Sequence, residues 1–505
     1  MAKAETADFL AGVIEGFYGQ PWSQAERFEL FNWMAAWGLN TYFYAPKDDL
    51  KHRAIWREPY SRDEAASLGR LIRACKKRDL YFIYALSPGL DIRYSNEADQ
   101  TQLKKRFEQL LALGCRHFSL LFDDIPDRLD RADLRRWGSL ASAQCHVTNA
   151  IFRWLRQRSP GGRFLFCPTP YCGRMAEAKL GGERYLRTIG RELSPEIDVF
   201  WTGPEIISRE ITVAHVREIG NVLRRKPLIW DNLHANDYDG RRFFCGPYAG
   251  RPPALRKAVS GLLSNPNCEF PLNFVPLRTL AYFVRGSAAF MPLHLSPAPK
   301  RRNISRTTGH HAPGSDINAA LPSAEWNARK AYLAAMREWL PAFETVGQPV
   351  TLEDLVLFGD CYYLPHEEGP EAEGLYQQAK RLLAGNPPNR RGQVAAFRKQ
   401  AARLRQLCAR MTELRQRPLF YALSRRVWEL REELDLLERY VAFKSKSRNA
   451  ALPFNSDFHL PGTYRGGLAP RLQRLLVQQP DGTLAPDQKR ISALTPHRIR
   501  LPMSG

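Results

Sequence analysis

The sequence of 505 residues lacks any apolar run that approaches the roughly 20 residues a bilayer-spanning helix needs. Residues 1–8 also lack the basic region and the apolar stretch of a secretory leader. We therefore expect a cytoplasmic protein with no membrane partner. With 44% hydrophobic and 25% charged residues, the composition is that of a globular protein with a substantial core.

Cysteine is scarce and scattered: the nine residues, an odd number, show no tight clustering and lie mostly within apolar runs. This pattern argues against a disulfide framework and predicts buried free thiols in a reducing compartment. Only Cys167 and Cys172 lie close together, and no second pair in the sequence completes a zinc site. His234 and Asp237, three residues apart, have no evident third ligand in the sequence. We therefore expect neither a metal ion nor a cofactor.

Acidic residues are few beside basic ones, 52 against 74, which gives a formal net charge of +22. Such an excess can indicate an acidic partner such as nucleic acid. Much of it, however, is arginine in the second half of the chain, which alternates with Ala, Leu and Glu in the helical patterns typical of solvated helix faces. The sequence carries no recognised nucleic-acid-binding signature, so nucleic acid is not the expected partner.

Short apolar or aromatic runs, separated by charged amphipathic stretches, recur through the first half of the chain. Eight of these runs are strand candidates, namely 13–18, 41–45, 81–86, 118–122, 163–167, 197–201, 227–230 and 269–275. Eight strands that alternate with helices over this length are typical of a (β/α)8 TIM barrel. The predicted fold class is therefore α/β, a TIM barrel followed by an α-helical bundle.

Changes in composition along the chain predict four segments. We expect the barrel over 1–288 and a linker bearing Pro, Arg and Ser over 289–318. Helical patterns fill 319–450 and predict a helical bundle, and the proline-bearing segment 451–505 is predicted to be largely irregular.

Two adjacent aspartates, Asp123 and Asp124, end the apolar run 118–122. Neighbouring carboxylates cannot ionise independently, so one tends to be an acid while the other is an anion, the division of roles that glycoside hydrolysis needs. Taken alone, the pair fits a helix N-cap followed by a first-turn acid better than a catalytic pair. Catalytic groups of a TIM barrel lie at the carboxyl ends of its strands, however. Polar or glycine residues follow all eight predicted strands, which favours a site at this rim: Gly16, Tyr18, Lys47, Asp48, Ser87, Asp91, Thr169, Tyr171, Thr202, Gly203, Asp231, Asn232 and Asn273.

Nine blocks of sequence, in order across the predicted barrel, carry a family resemblance. They are GVIEGFYG (12–19), YAPKDD (44–49), SPGLD (87–91), LFDDI (121–125), FCPT (166–169), YCG (171–173), WTGP (201–204), WDNLHANDYD (230–239) and NPNCEF (265–270). Together they resemble the O-GlcNAcase family of β-N-acetylglucosaminidases, glycoside hydrolase family 84. Beyond the barrel, YLPHEEGP (363–370) and RGGL (465–468) are similar to the helical stalk domain of that family.

The resemblance implies a hexosaminidase that removes terminal β-linked GlcNAc by retaining, substrate-assisted hydrolysis. The 2-acetamido oxygen of the sugar attacks C1 and forms an oxazoline, so the enzyme supplies no covalent nucleophile. By motif position, Asp123 is the anion that orients the acetamido N–H. Asp124 is the acid that protonates the leaving oxygen and then activates water.

Further roles carried over by position concern substrate binding. Tyr171 is implied to bond the acetamido oxygen, Asn232 to hold the acetamido group, and Tyr238 to lie at the mouth of the site. The remaining implied substrate-binding residues are Gly16, Lys47, Trp201, Trp230, Asp237 and Asn273. Alternatives stay open for three of these residues: Trp201 also fits a core position, and Lys47 and Asp237 also fit salt bridges at the rim.

The implied substrate is a protein carrying O-GlcNAc on Ser or Thr, and a glycan of the hyaluronan type is the alternative. A GlcNAc-binding module without catalysis is a second alternative, which both aspartates disfavour. The resemblance also implies a homodimer built by the stalk, for which Trp428 is a candidate contact. The alternative interpretation of Trp428 is a core tryptophan of the helical bundle.

Overall fold

The computed structural model describes residues 9–178, 183–286, 326–383, 390–446, 476–478 and 484–486. Eight parallel strands close a barrel in chain order, with β1 pairing to both β2 and β8. The strands are β1 Leu10–Glu15, β2 Thr41–Tyr44, β3 Tyr81–Leu86, β4 His117–Leu121, β5 Phe164–Cys167, β6 Asp198–Trp201, β7 Leu228–Asp231 and β8 Gly261–Ser264. The predicted TIM barrel is confirmed.

Helices occupy the connections between the strands. Ser23 and Glu26, like Ser61 and Glu64, form capping boxes that satisfy the first backbone N–H groups of α1 and α2. The helices are α1 Gln24–Trp37, α2 Arg62–Lys76, α3 Glu97–Ala112, α4 Arg131–Trp137, α5 Leu140–Arg158, α6 Gly173–Ala178, α7 Glu183–Glu192, α8 Val213–Leu223, α9 Leu255–Ala258 and α10 Phe274–Arg285.

The eighth strand is the one that the sequence prediction placed wrongly. Residues 269–275 were expected to form it, but Phe270–Asn273 is a 3-10 helix with Pro271 in its first turn, and α10 follows directly. Proline has no N–H to donate to a sheet and is favoured at helix starts. The strand is instead Gly261–Ser264, where a Cβ on Gly261 would lie 2.4 Å from the carbonyl oxygen of Leu10. Close pairing with β1 therefore requires the glycine.

Apolar side chains fill the barrel interior. A buried cluster takes members from all eight barrel strands, among them Ile14, Phe43, Ile83, Leu121, Leu165, Phe200, Leu228, Trp230 and Leu263. The barrel is thus a packed core and not a pore, which leaves its carboxyl rim as the place for a site.

The described residues after the barrel include five α-helices. They are α11 Ala328–Trp339, α12 Leu352–Asp360, α13 Pro370–Leu383, α14 Arg390–Met411 and α15 Arg417–Lys446, with a 3-10 helix Leu340–Phe343 after α11. Two short antiparallel strands, β9 Leu476–Gln478 and β10 Leu484–Pro486, are the described parts of the segment predicted to be irregular. The predicted linker 289–318 lies outside the described residues. None of the described helices is long and apolar enough to cross a bilayer.

The chain divides into two compact units, 1–377 with 402–428, and 378–401 with 429–505. In the first unit, helical residues pack on the barrel: the backbone N–H of Cys245 donates to the carbonyl of Tyr362 at 2.8 Å, and the Phe243 and Tyr362 rings stack with centroids 4.4 Å apart. Arg426 forms an ion pair with Glu269 at 2.6 Å. In the second unit the described residues are the adjoining parts of α13–α15 and the β9–β10 pair. The predicted domain boundaries stay a prediction.

Candidate active site

A cavity of about 630 Å³ lies at the carboxyl ends of the barrel strands. Residues at or just after every strand except β3 line it, and His366 joins them from the connection between α12 and α13. A cavity of this size is ordinary for a small-molecule site. Nine of the eleven predicted site residues lie here: Asp123, Asp124, Gly16, Lys47, Tyr171, Trp230, Asn232, Asp237 and Tyr238.

Asp123 is the buried member of the aspartate pair, with 6% of its surface exposed. Its Oδ2 accepts a hydrogen bond from the Lys47 ammonium, which is itself buried. Burial raises the pKa of Asp123, but the charge and hydrogen bond of Lys47 together with the charge of Arg53 outweigh it, and the net pKa lies below the usual value. Its Oδ1 is buried and has no hydrogen-bond partner in the described part of the chain. Asp123 is therefore an anion with one acceptor oxygen left for a ligand.

Asp124 has a different environment, although it is the next residue. It is exposed to the cavity, and its φ of +50° lies in the left-handed region that non-glycine residues rarely adopt. Two tyrosine hydroxyls donate to its carboxylate, Tyr171 to Oδ1 at 2.8 Å and Tyr18 to Oδ2 at 3.0 Å. Burial and the nearby Asp124 raise the pKa of both tyrosines. Both hydroxyls therefore stay protonated donors.

One wall of the cavity is a set of linked amide and indole groups. The Asn232 Oδ1 accepts from the Trp230 Nε1 and from the Asn265 Nδ2, each at 3.0 Å, and the Asn232 Nδ2 donates to the Ile206 carbonyl at 2.9 Å. Asn265 Oδ1 is buried and unbonded among the described residues. A Cβ on Gly16 would lie 2.6 Å from the Trp230 ring, so glycine lets the backbone reach this wall.

The opposite side of the mouth carries Asp237 and Tyr238. Asp237 Oδ2 accepts from the backbone N–H of Tyr18 at 3.0 Å, which ties the β7 loop to the end of β1. Burial raises the pKa of Asp237. Tyr238 is 53% exposed at the entrance. His234, on the same loop, is fully buried and bonded to the Gly246 carbonyl, so it does not line the cavity with Asp237.

Two predicted site residues do not line the cavity. Trp201 is fully buried, donates from Nε1 to His215 Nε2 at 2.9 Å and stacks on that ring, which belongs to α8. It is thus a packing residue on the helix side of β6, the alternative that the sequence left open. Asn273 is also fully buried, and its amide is used by the backbone of Asn267 and Glu269.

Sequence reasoning did not select Asn265, Tyr18, Arg174, Glu205 and His366 as site residues, although all of them line the cavity. Asn265 occupies the place expected of Asn273, because it is the first residue after the true eighth strand. Tyr18 had a signal, since it is the last residue of the first predicted strand. Arg174 of α6 and Glu205 of the loop after β6 form an ion pair at 2.5 Å, which no local pattern indicates.

Comparisons with known proteins agree with this geometry. A family model described as "NAGidase: beta-N-acetylglucosaminidase" matches residues 11–298. Two curated proteins named "Protein O-GlcNAcase", from Rattus norvegicus and Mus musculus, are each 48% identical over 279 residues, 55% of this chain. The chain spans only 30% of the length of these relatives. A solved structure, a mutant of the Thermobaculum terrenum O-GlcNAc hydrolase, is similar with a TM-score of 0.66 and 26% identity, covering 87% of this chain and 83% of that one.

Proposed function

Because the chain belongs to the NAGidase family of β-N-acetylglucosaminidases, we propose that it removes terminal β-linked GlcNAc from Ser and Thr of proteins. The reaction is a retaining hydrolysis that uses the 2-acetamido group of the substrate as nucleophile. The names of the rat and mouse relatives and of the bacterial hydrolase support a protein-linked GlcNAc substrate.

The observation that carries the proposal is the unequal environment of the two adjacent carboxylates. Asp123 is buried against Lys47, which holds its charge, and it presents a free Oδ1. Asp124 is open to the cavity, and the donors to its carboxylate within the described residues are the hydroxyls of Tyr18 and Tyr171. Ordinary retaining glycosidases place two carboxyls about 5 Å apart, one as nucleophile. An anion that is already paired with an ammonium fits a polarising role better than nucleophilic attack.

In the first step the acetamido oxygen attacks C1 while the bond from C1 to the leaving oxygen breaks. Asp124 transfers its proton to that leaving oxygen. The Asp123 Oδ1 accepts the acetamido N–H and stabilises the positive charge that develops on the oxazoline nitrogen. The Tyr171 hydroxyl breaks its hydrogen bond to Asp124 and donates to the attacking acetamido oxygen.

In the second step Asp124, now an anion, takes a proton from water, and the hydroxide attacks C1 on the face that the leaving group vacated. The oxazoline opens and the acetamido group is restored. Two inversions at C1 give net retention. Both carboxyl groups regain their starting states, so the cycle needs no other co-reactant.

The cavity wall supports recognition of the sugar itself. Asn232 and Trp230 shape the acetamido pocket, while Asp237, Lys47 and the Gly16 carbonyl accept or donate to sugar hydroxyls. Asn265 takes the place of Asn273 in this set, because it lines the cavity and its buried Oδ1 has no hydrogen-bond partner among the described residues. Tyr238 at the mouth is placed to contact the aglycone.

The proposal includes a homodimer formed by the helical region after the barrel. In α15, Tyr421 is 67% exposed and Trp428 is 48% exposed, which is large for aromatic side chains. Light scattering should give twice the chain mass for the wild type and a lower mass for Trp428→Ala; a wild-type mass of one chain would contradict the dimer. All nine cysteines are free thiols, which supports function in a reducing compartment such as the cytoplasm.

The test of the proposed function is hydrolysis of an aryl β-GlcNAc by the wild type and by Asp124→Asn across pH. Loss of the general acid should lower kcat by roughly 10²- to 10⁴-fold. Asp127→Asn is the matched control, because Asp127 lies in the same loop, is exposed and does not line the cavity. Equal activity of both variants would contradict the role of Asp124. Binding of GlcNAc without turnover would favour a binding module, and cleavage of hyaluronan oligosaccharides but not of GlcNAc-peptides would favour the glycan alternative.

A further inference from the structure

Arg53 is a buried cation in the loop that follows β2, with 7% of its surface exposed. Its guanidinium forms no ion pair with any described carboxylate. It donates instead to three oxygens beside the catalytic pair: from Nη2 to the Asp124 carbonyl at 2.7 Å, and from Nη1 to the Ser87 Oγ at 3.1 Å and the Asp123 carbonyl at 3.4 Å. One side chain thus connects the loops after β2, β3 and β4.

The turn that Arg53 contacts is strained. Asp124 has φ +50°, and a non-glycine residue persists in that region only when its surroundings hold it. The shortest contact of Arg53 is to the carbonyl of this same residue. Hydrogen bonds from a charged donor are stronger than those between neutral groups. The guanidinium is therefore placed to hold the conformation that directs the Asp124 carboxylate toward Tyr171 and Tyr18.

We propose that Arg53 is a positioning residue for the general acid: it fixes the Asp123–Asp124 turn so that the Asp124 carboxylate is aligned with the leaving oxygen. This inference rests on the proposed function, because it assigns Asp124 the acid role. Arg53 does not line the cavity and touches no substrate; it acts through the backbone of the turn.

The need to anchor the loop after β2 does not explain why a cation is buried at position 53. The neighbouring His52 already fixes that loop, since its Nδ1 bonds the Ala85 carbonyl at 2.8 Å and its own carbonyl accepts from the Ser87 N–H at 2.9 Å. Further along, Arg57 pairs with Asp99 at 2.8 Å. Burying a cation is unfavourable unless an opposite charge compensates it, and the charge of Arg53 acts on the buried Asp123, whose pKa it lowers. A neutral residue would serve packing alone at lower cost. The three oxygens that accept hydrogen bonds from Arg53 at or beside the Asp123–Asp124 turn distinguish it from His52 and Arg57.

The test uses the dependence of rate on the leaving group. A dinitrophenyl β-GlcNAc has a leaving group that departs without protonation, whereas phenyl β-GlcNAc needs the acid. The parameter compared is kcat/KM, which reports the first step and not the later activation of water by Asp124. For Arg53→Gln we expect kcat/KM on the phenyl glycoside to fall by about 10- to 100-fold, because misplacing a catalytic group by about 1 Å has an effect of this order. On the dinitrophenyl glycoside kcat/KM should change by less than about 3-fold, because its leaving group departs without the acid.

Controls separate positioning from loss of structure. Arg57→Gln, in the same loop, should show no difference between the two substrates, although it removes the ion pairs with Asp91 and Asp99. Arg53→Lys keeps the charge but loses the forked donor. It should show the same pattern as Arg53→Gln, and it keeps the test valid if Arg53→Gln fails to fold.

The outcomes distinguish this inference from the proposed function. Equal losses on both glycosides, or wild-type rates on both, would overturn the positioning role of Arg53. If Asp124→Asn shows the leaving-group dependence while the Arg53 variants do not, only this inference fails. If Asp124→Asn shows none either, the acid role of Asp124 fails as well, and the inference falls with it.

Discussion

The buried pair of Lys47 and Asp123 gives the sharpest prediction, the effect of Lys47→Met on the acidic limb of the pH–rate profile. The two side chains are 2% and 8% exposed, so solvent screens their interaction little. An opposite charge at this range lowers the pKa of a carboxyl by about 1–3 units. Without Lys47, burial is the largest influence on Asp123 and raises its pKa. The acidic limb of the pH–rate profile should therefore move to higher pH by about 1–3 pH units, which corresponds to an interaction free energy of about 1.4–4 kcal/mol.

The sign follows from the role of Asp123 as an anion. Its pKa in the folded protein is lowered, so activity is present above that pKa and is lost as the pH falls through it. In Lys47→Met the loss should set in at higher pH. The contribution of the pair to stability has the same sign: it is fully present above the unfolded pKa of about 3.9 and is lost as the pH falls through the lowered folded value.

The assay is kcat/KM of an aryl β-GlcNAc from about pH 3 to pH 8, since this parameter reports ionisations of the free enzyme. A general loss of activity from weaker sugar binding does not matter, because the position of the limb is measured. Lys51→Met is the control: Lys51 lies on the same loop and pairs with Glu64 instead. An unmoved limb in Lys47→Met, or an equal shift in Lys51→Met, would refute the reasoning.

Two further predictions concern residues whose placement the structure settled. Asn265→Ala should lower kcat/KM by about 10- to 100-fold, as expected for a lost sugar hydrogen bond, whereas Asn273→Ala should lower the thermal midpoint and leave KM unchanged. The reverse pattern in kinetics and melting curves would contradict the assignment. Gly16→Ala should lower both kcat/KM and the thermal midpoint, because its Cβ would lie 2.6 Å from the Trp230 ring and 2.7 Å from the Ile14 Cγ2, and both side chains are buried. Wild-type kinetics and melting would contradict this prediction.

The barrel and the position of Asp123 and Asp124 in the cavity at its rim could be predicted because their signals are local. Seven strands coincide with apolar runs, and the aspartates directly follow one of them. The eighth strand failed because Gly261–Ser264 is only four residues long, while the richer run near Phe270 contains a proline. That single error moved the expected sugar ligand from Asn265 to Asn273.

The side on which Trp201 lies could not be derived from the sequence for a different reason. In a parallel barrel both faces of a strand are buried, one by the barrel interior and one by helices, so no alternation of polar and apolar residues marks them. Phe200 belongs to the interior cluster, and Trp201 packs on His215 of α8. Only the register of the closed barrel decides which neighbour faces inward.

Adjacency alone does not give the two aspartates separate roles; the left-handed turn at Asp124 does. Successive residues of a regular strand point to opposite faces, so a second carboxylate in extended conformation would not share the cavity with the first. Asp123 keeps its contact with Lys47, and the turn carries Asp124 to Tyr18 and Tyr171, so the carboxylates share no hydrogen-bond donor. Their electrostatic environments are thereby distinct although one peptide bond joins them. A substitution that relaxes this turn should therefore impair acid catalysis before it impairs sugar binding.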